Sequence, residues 1–176
     1  TDIHDNTNAD GSGAGIYNYG KLYFNSGNIR DNKAHTYGGG IMNKAGAKFW
    51  MKGGAVYANK CRWDIANNKE DTGTDAKGYG GGIHNEAADA TKDLGAGELR
   101  LYGGYVHGNG DYGISNRGNA YIATQDTPSD NKDICFHMGA SSYNNWQSYT
   151  PSANTKGNIR NEGLLQFGKA GAKHTY

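Results

Sequence analysis

Two heptapeptides in this chain have the glycine spacing of a loop that wraps an anion. Tyr37-Gly38-Gly39-Gly40-Ile41-Met42-Asn43 returns as Tyr79-Gly80-Gly81-Gly82-Ile83-His84-Asn85. Taken alone, either would suit a phosphate cradle, because consecutive glycines let backbone N–H groups close on a charged ligand. A second candidate is Asp71-Thr72-Gly73-Thr74-Asp75, which has the residue order of a protease Asp-Thr-Gly turn and of part of a calcium loop. A single copy lacks the second carboxylate segment of an acid–base dyad and the ligand spacing of an EF-hand. It is expected to be a loop. Weak calcium binding through Asp64, Glu70, Asp71 or Asp75 is left open, and no other cofactor or metal is expected.

The glycine-rich reading changes once the weaker copies are set beside the strong ones. Ala14-Gly15-Ile16-Tyr17-Asn18, Tyr112-Gly113-Ile114-Ser115-Asn116 and Gly157-Asn158-Ile159-Arg160-Asn161 repeat the same order of glycine, aliphatic residue and Asn. Recurrence at long intervals marks a repeat architecture. Here glycine turns a corner, the aliphatic residue faces a core and the Asn belongs to the scaffold.

Two further segments alternate with this one. Leu22-Tyr23-Phe24, Phe49-Trp50-Met51 and Leu99-Arg100-Leu101 precede Ile29 with Asn32, Val56 with Asn59 and Val106 with Asn109. The three blocks, 22–32, 49–59 and 99–109, align without a gap, and Gly27, Gly54 and Gly104 each stand two before the aliphatic residue. Each repeat therefore predicts three short strands: A (Gly-Ile-x-Asn), B (Leu-x-Phe) and C (Ile-x-x-Asn). Period-two alternation puts Leu22 and Phe24 inside and Tyr23 outside. The spacing from Ile16 to Ile41 is 25 residues, enough for three strands and three turns and too long for a hexapeptide-type coil of about 18.

The expected fold is all-β: a parallel β-helix, or solenoid, of about five three-strand coils in one domain over 1–176. The longer spacings require insertions, placed at 60–78, 86–95, 123–133 and 139–156. Ile134-Cys135-Phe136 is the expected strand C of the fourth coil. The first and last of the long insertions would flank the short corner 110–112 and leave a notch. With strands about 4.8 Å apart, five coils would make a rod of roughly 25 Å. Asn18, Asn43, Asn85, Asn116 and Asn161, and likewise Asn6, Asn32, Asn59 and Asn109, are expected to form stacked structural ladders at the corners.

Composition narrows the class. Only 35% of the 176 residues are hydrophobic and mean hydropathy is −0.84, yet there are 13 Tyr and 3 Trp. Disordered chains are poor in aromatics, so the polarity fits a thin, surface-rich solenoid better. A formal net charge of +1 gives no reason to expect nucleic acid. No apolar run reaches the roughly 18 residues of a membrane span. The opening at Thr1, with neither initiator Met nor signal peptide, suggests a processed or excised piece. Cys61 and Cys135 would lie about 9.6 Å apart if in register, beyond the ~7 Å reach of a disulfide, so buried thiols are expected.

The alternation of Gly-Gly-Gly-Ile-x-Asn with aliphatic-x-x-Asn resembles the GGxI and FxxN repeats of chlamydial polymorphic membrane proteins. More broadly it resembles the β-helix regions of bacterial surface adhesins and autotransporter passengers. The likeness covers residues 1–122 and 157–167 apart from the insertions, and Ile or Val stands here where FxxN has Phe. It implies a right-handed β-helix, an extracellular or cell-surface setting and adhesive or structural roles. It supplies no catalytic residue.

Function would then lie on outward columns and ends. Strand B presents Tyr23, Trp50, Arg100, Tyr121 and Gln166, an aromatic–cationic stripe that either stabilises its own sheet or binds sugar rings or another subunit. Strand C presents His4, Arg30, Tyr57 and His107, expected to be a solvated face without the ligand set of a metal site. Strand A presents Tyr17, Met42, His84, Ser115 and Arg160. Polysaccharide-active enzymes of such a fold need outward carboxylates, and strand B is expected to hold no acid at all, the carboxylates being concentrated in the insertions. The expectation is a non-enzymatic structural or adhesive module, with a carbohydrate-binding module or a polysaccharide-active enzyme as rivals. The chain begins with a lone C strand and finishes after A and B. Its partners are therefore expected to be copies of itself, joined head to tail into a filament, or a glycan or host surface.

Overall fold

The computed structural model describes residues 1–71, 78–122, 136–138 and 157–167. Among these the chain is all-β apart from one 3-10 turn, Ala90–Lys92. In chain order the strands begin β1 (Asp2–His4), β2 (Thr7–Asn8), β3 (Ile16–Asn18), β4 (Lys21–Phe24), β5 (Asn28–Arg30) and β6 (Lys33–Ala34). They continue as β7 (Ile41–Asn43), β8 (Lys48–Met51), β9 (Ala55–Tyr57), β10 (Trp63–Asp64), β11 (Lys69–Glu70) and β12 (Ile83–Asn85). The last are β13 (Glu98–Leu101), β14 (Gly104–His107), β15 (Tyr112–Asn116), β16 (Asn119–Ile122), β17 (Phe136–Met138), β18 (Gly157–Asn161) and β19 (Leu164–Phe167).

Three parallel five-stranded sheets dominate. Sheet A has the order β18-β15-β12-β7-β3, sheet B β19-β16-β13-β8-β4 and sheet C β1-β5-β9-β14-β17. The chain visits them cyclically, C then A then B, and each neighbour within a sheet comes from the next round. Registers stay in step despite unequal connections. Ile16, Ile41, Ile83, Ile114 and Ile159 are paired in line in sheet A. Leu22, Phe49, Leu99, Ala120 and Leu165 are paired in sheet B.

These inward columns, with Ile29, Val56 and Val106 of sheet C, meet in one core to which all three sheets contribute. Ile29, Ile41, Phe49, Met51, Val56, Ile83, Leu99, Leu101 and Val106 are fully buried. Each such side chain contributes about 1.5–3 kcal/mol by leaving water. The column ends, Ile16, Leu22, Ile159 and Leu165, are only partly buried.

The structure corrects several expected boundaries. Lys60 bridges Lys33 in parallel, and β2 pairs with β6, so a fourth, very short ladder fills the corner between sheets C and A. The excursion expected from residue 60 therefore starts later. Its first part is a small antiparallel pair, β10 with β11, anchored by Trp63, whose buried ring lies under the ammonium groups of Lys33 and Lys60 at 4.8 and 4.4 Å. The fourth C strand is Phe136–Met138 rather than Ile134-Cys135-Phe136, with Met138 at the register position of Val106. Alternation cannot separate the two, because sliding a strand by an even number of residues keeps the same side chains on the same face.

Over 86–95 the chain leaves sheet A and folds on itself through the 3-10 turn, capped by the Asp89 carboxylate, which accepts from the Thr91 N–H. Residues 72–77, the whole of the insertions 123–133 and 139–156 with the expected notch, Ile134, Cys135 and the tail 168–176 lie outside the described residues. No helix long and apolar enough to cross a membrane occurs among the described residues.

Candidate binding face

The outer face of sheet B is built by alternation along β4, β8, β13, β16 and β19. Leu22 and Phe24, or Phe49 and Met51, point to the core, so the residues between and before them point away. Register then aligns them into two columns. One is Tyr23, Trp50, Arg100, Tyr121 and Gln166; the other is Lys21, Lys48, Glu98, Asn119 and Leu164.

Tyr23 and Trp50 stack face to face along the column. Their ring centroids are 4.6 Å apart and the planes differ by 12°, and Tyr23 is 58% exposed. Arg100 continues the column with its guanidinium 5.4 Å from the centre of the Tyr121 ring. Its Nε donates to Glu98 Oε1 at 2.7 Å, and Lys48 Nζ lies 3.5 Å from Glu98 Oε2. The Tyr102 hydroxyl and the Glu98 charge together hold the Arg100 pKa above its ordinary value.

The second column corrects an expectation. Strand B does carry an acid, Glu98, one residue before the Leu-x-Leu segment and on the outer face. The signal was present in the sequence: the alternation extends backward as Lys21-x-Tyr23, Lys48-x-Trp50 and Glu98-x-Arg100.

The recurrent Asn side chains hydrogen-bond one another, buried along the middle of each series and exposed at Asn6 and Asn161. Asn18, Asn43, Asn85 and Asn116 each donate from Nδ2 to Oδ1 of the next member, ending on Asn161, at 2.7–2.8 Å. Asn6, Asn32 and Asn59 do the same in a second series that ends on Asn109, at 2.9–3.1 Å. The spare amide protons reach backbone carbonyls, as from Asn43 to Glu98 O and from Asn59 to Ile29 O. Asn32, Asn43, Asn59, Asn85, Asn109 and Asn116 are fully buried.

The other two outward columns are less open than alternation implies. In sheet A, Met42, His84 and Ser115 are only 2%, 1% and 1% exposed. The turn that leads into each A strand lies over the middle residue of an adjacent one. A Cβ on Gly13 would sit 2.8 Å from Met42 Cβ, and one on Gly80 would sit 3.0 Å from Ser115 Cβ. Gly38 and Gly80 take positive φ, 60° and 75°, and Asp111 takes the same place at 67°. Gly reaches this conformation without strain and Asp tolerates it. The Asp111 carboxylate accepts the Gly80 N–H at 3.1 Å. Tyr37 completes the cover, its ring 4.6 Å from that of His84. Burial, with the charges of Arg117, Lys44 and Arg160 nearby, pushes the His84 imidazole down to about 3. The middle of this column is thus unavailable to a ligand.

In sheet C, Arg30 is tied to Asp2 and Asp31 at 2.9 Å each. His107 is buried and its ring stacks on Tyr57 at 5.2 Å. The expected solvated face is therefore closed at that end. Among the described residues no group of three His, Cys, Asp or Glu side chains is placed to hold a metal ion. In the calcium candidate, the Asp64 carboxylate accepts from the Asn67 backbone and side chain, which lowers its pKa. Cys61 is buried.

Comparison of the chain with family models, with curated proteins and with solved structures finds no match.

Proposed function

We propose that this chain is a non-enzymatic structural and adhesive module of a secreted or cell-surface protein. In this reading it winds as a right-handed parallel β-helix and binds carbohydrate on the outer face of sheet B. The winding is supported by the fixed cyclic order of the three sheets and by their common register. Handedness follows from the strong preference of parallel strand connections for a right-handed crossover. The surface setting rests on the resemblance of the Gly-Ile-x-Asn repeats to those of bacterial surface proteins.

The observation that carries the binding role is Tyr23, 58% exposed on the outer face of sheet B and held by stacking at 4.6 Å on the partly buried Trp50. Sugar rings present C–H faces that pack on aromatic planes, and Tyr23, on the edge strand β4 at the end of the column, is the ring that offers one. Glu98 is a single carboxylate engaged by both Arg100 and Lys48. Among the described residues of this face no second carboxylate completes a hydrolytic pair with it, so the reading is of binding.

Affinity electrophoresis in gels containing soluble polysaccharides tests the reading. Retardation by at least one polysaccharide is expected. Trp50→Ala should weaken it about tenfold or more, equivalent to about 1.4 kcal/mol, at unchanged melting temperature. Lys92→Ala, in the exposed 3-10 turn of the loop 86–95, should be retarded as much as the parent when each is compared with its own mobility in a ligand-free gel. A parent that no polysaccharide retards, or a Trp50→Ala variant retarded equally, would remove the binding role.

A further inference from the structure

We propose that Tyr17 and Tyr19 form a site of oxidative cross-linking, at which a peroxidase with hydrogen peroxide joins the two phenol rings as an intramolecular dityrosine. The two residues stand on either side of the inward-facing Asn18, so alternation turns both to the same outer side. Their ring centroids are 4.9 Å apart and the planes differ by 35°. Burial first, and the neighbouring Tyr19 hydroxyl next, raise the Tyr17 pKa, which places the two hydroxyl ends side by side. Access differs between them. Tyr19 is 72% exposed and Tyr17 40%, so one ring is open to an oxidant and the other waits beside it.

The fold holds the pair in place. Tyr17 is paired with Met42 on β7, and the Lys44 ammonium lies 5.8 Å from its ring centre, itself held by the Glu86 carboxylate. The turn that carries Tyr19 is pinned at Asn18, whose Nδ2 donates to Asn43 Oδ1 and whose Oδ1 accepts the Gly20 N–H. Oxidation takes one electron and the hydroxyl proton from each phenol. The two radicals carry spin at the carbons ortho to oxygen, and a C–C bond forms between one such carbon of each ring. The hydrogens on those carbons then move to the oxygens and restore both phenols. Two hydrogens leave the protein, and the peroxide takes up the two electrons and two protons to become two waters. Groups held together react as if at very high concentration, so in dilute solution this pair should outrun coupling between molecules. Tyr37 and Tyr79 are a poorer pair, with centroids 6.2 Å apart and planes at 56°. Each of them is also partly buried, Tyr37 against His84 and Tyr79 under the Arg160 guanidinium. Tyr23 is exposed but stacks on Trp50 and not on a second phenol.

Peptide mass spectrometry after treatment of the dilute, folded chain with a haem peroxidase and hydrogen peroxide tests the proposal. Tyr17 and Tyr19 lie in the tryptic peptide 1–21, which holds no other Tyr. That peptide should lose two hydrogens and resist fragmentation between residues 17 and 19. Its yield should exceed that of links between molecules at least about tenfold, with a half-time independent of protein concentration. Tyr17→Phe and Tyr19→Phe should each abolish the change, and Tyr23→Phe should leave it intact. The Phe variants keep the rings, so their melting temperatures should stay at the parent's. In concentrated urea, which releases the turn, the yield from 1–21 should fall severalfold. An unchanged peptide 1–21 under conditions that couple free N-acetyltyrosine would overturn the proposal, as would an excess of links from 1–21 to another peptide. An undiminished yield in urea would also overturn it, by assigning the coupling to nearness in sequence and not to the fold.

Discussion

At the scale of single residues, the amide series has a direction. Each side-chain bond runs from Nδ2 of the earlier Asn to Oδ1 of the later one, in both series. An Asn inside such a series must accept on one side and donate on the other, which no other small side chain does in the same shape. Asn43→Asp would set a carboxylate oxygen against Asn85 Oδ1 in a fully buried place. A loss of about 3 kcal/mol or more is expected in urea unfolding at pH 7, exceeding that of Asn43→Ala. The Asn43→Asp variant should recover relative to the parent as pH falls and the new carboxyl gains a proton to donate. His84 gives a second residue-level test. Its folded pKa of about 3 lies below the ordinary 6.5, so the unfolded chain binds the proton first. Its stabilising contribution is complete above about pH 6.5 and is lost between 6.5 and 3. The expected loss at this site between pH 7 and 5 is about 2 kcal/mol. His84→Met, with the residue that Met42 supplies one round earlier, should flatten that part of the pH–stability curve.

At the scale of elements, the turn into each A strand is where neighbouring rounds come closest. A Cβ on Gly81 would lie 1.7 Å from the Gly110 carbonyl oxygen, whereas one on Gly95 would meet nothing within 4 Å. Gly81→Ala should therefore cost several kcal/mol, of the order of 3 or more, or prevent folding, while Gly95→Ala should stay within about 0.5 kcal/mol; thermal melting of both variants measures this. The A, B and C segments and the inward columns were legible in the sequence because glycine, aliphatic residue and Asn recur at fixed offsets. The burial of Met42 and His84 was not, since alternation says which way a side chain points and is silent about a turn folded over it. The register of β17 was hidden for a related reason: no Asn marks that round, and Ile134, Phe136 and Met138 share one parity. On the candidate face, Tyr23, Trp50, Arg100 and Tyr121 were visible as a stripe. Lys21, Lys48 and Glu98 were missed because the apolar pattern that defined strand B begins one residue after them.

At the scale of the whole molecule, the core is shared by three sheets, each built from strands of successive rounds of the chain. Stability in such an array is a sum of unit and nearest-neighbour terms. The strands β7, β8, β12 and β13 have partners on both sides, whereas β3 and β4 have one. Native-state amide hydrogen exchange resolved by residue tests the single winding most directly. Slowest exchange is expected together in β7, β8, β12 and β13, with β3, β4 and the loops 60–71 and 86–95 faster, so that protection follows position along the stack and not membership of a sheet. Three sheets exchanging as three separate blocks, or the loops protected as well as β12, would contradict it.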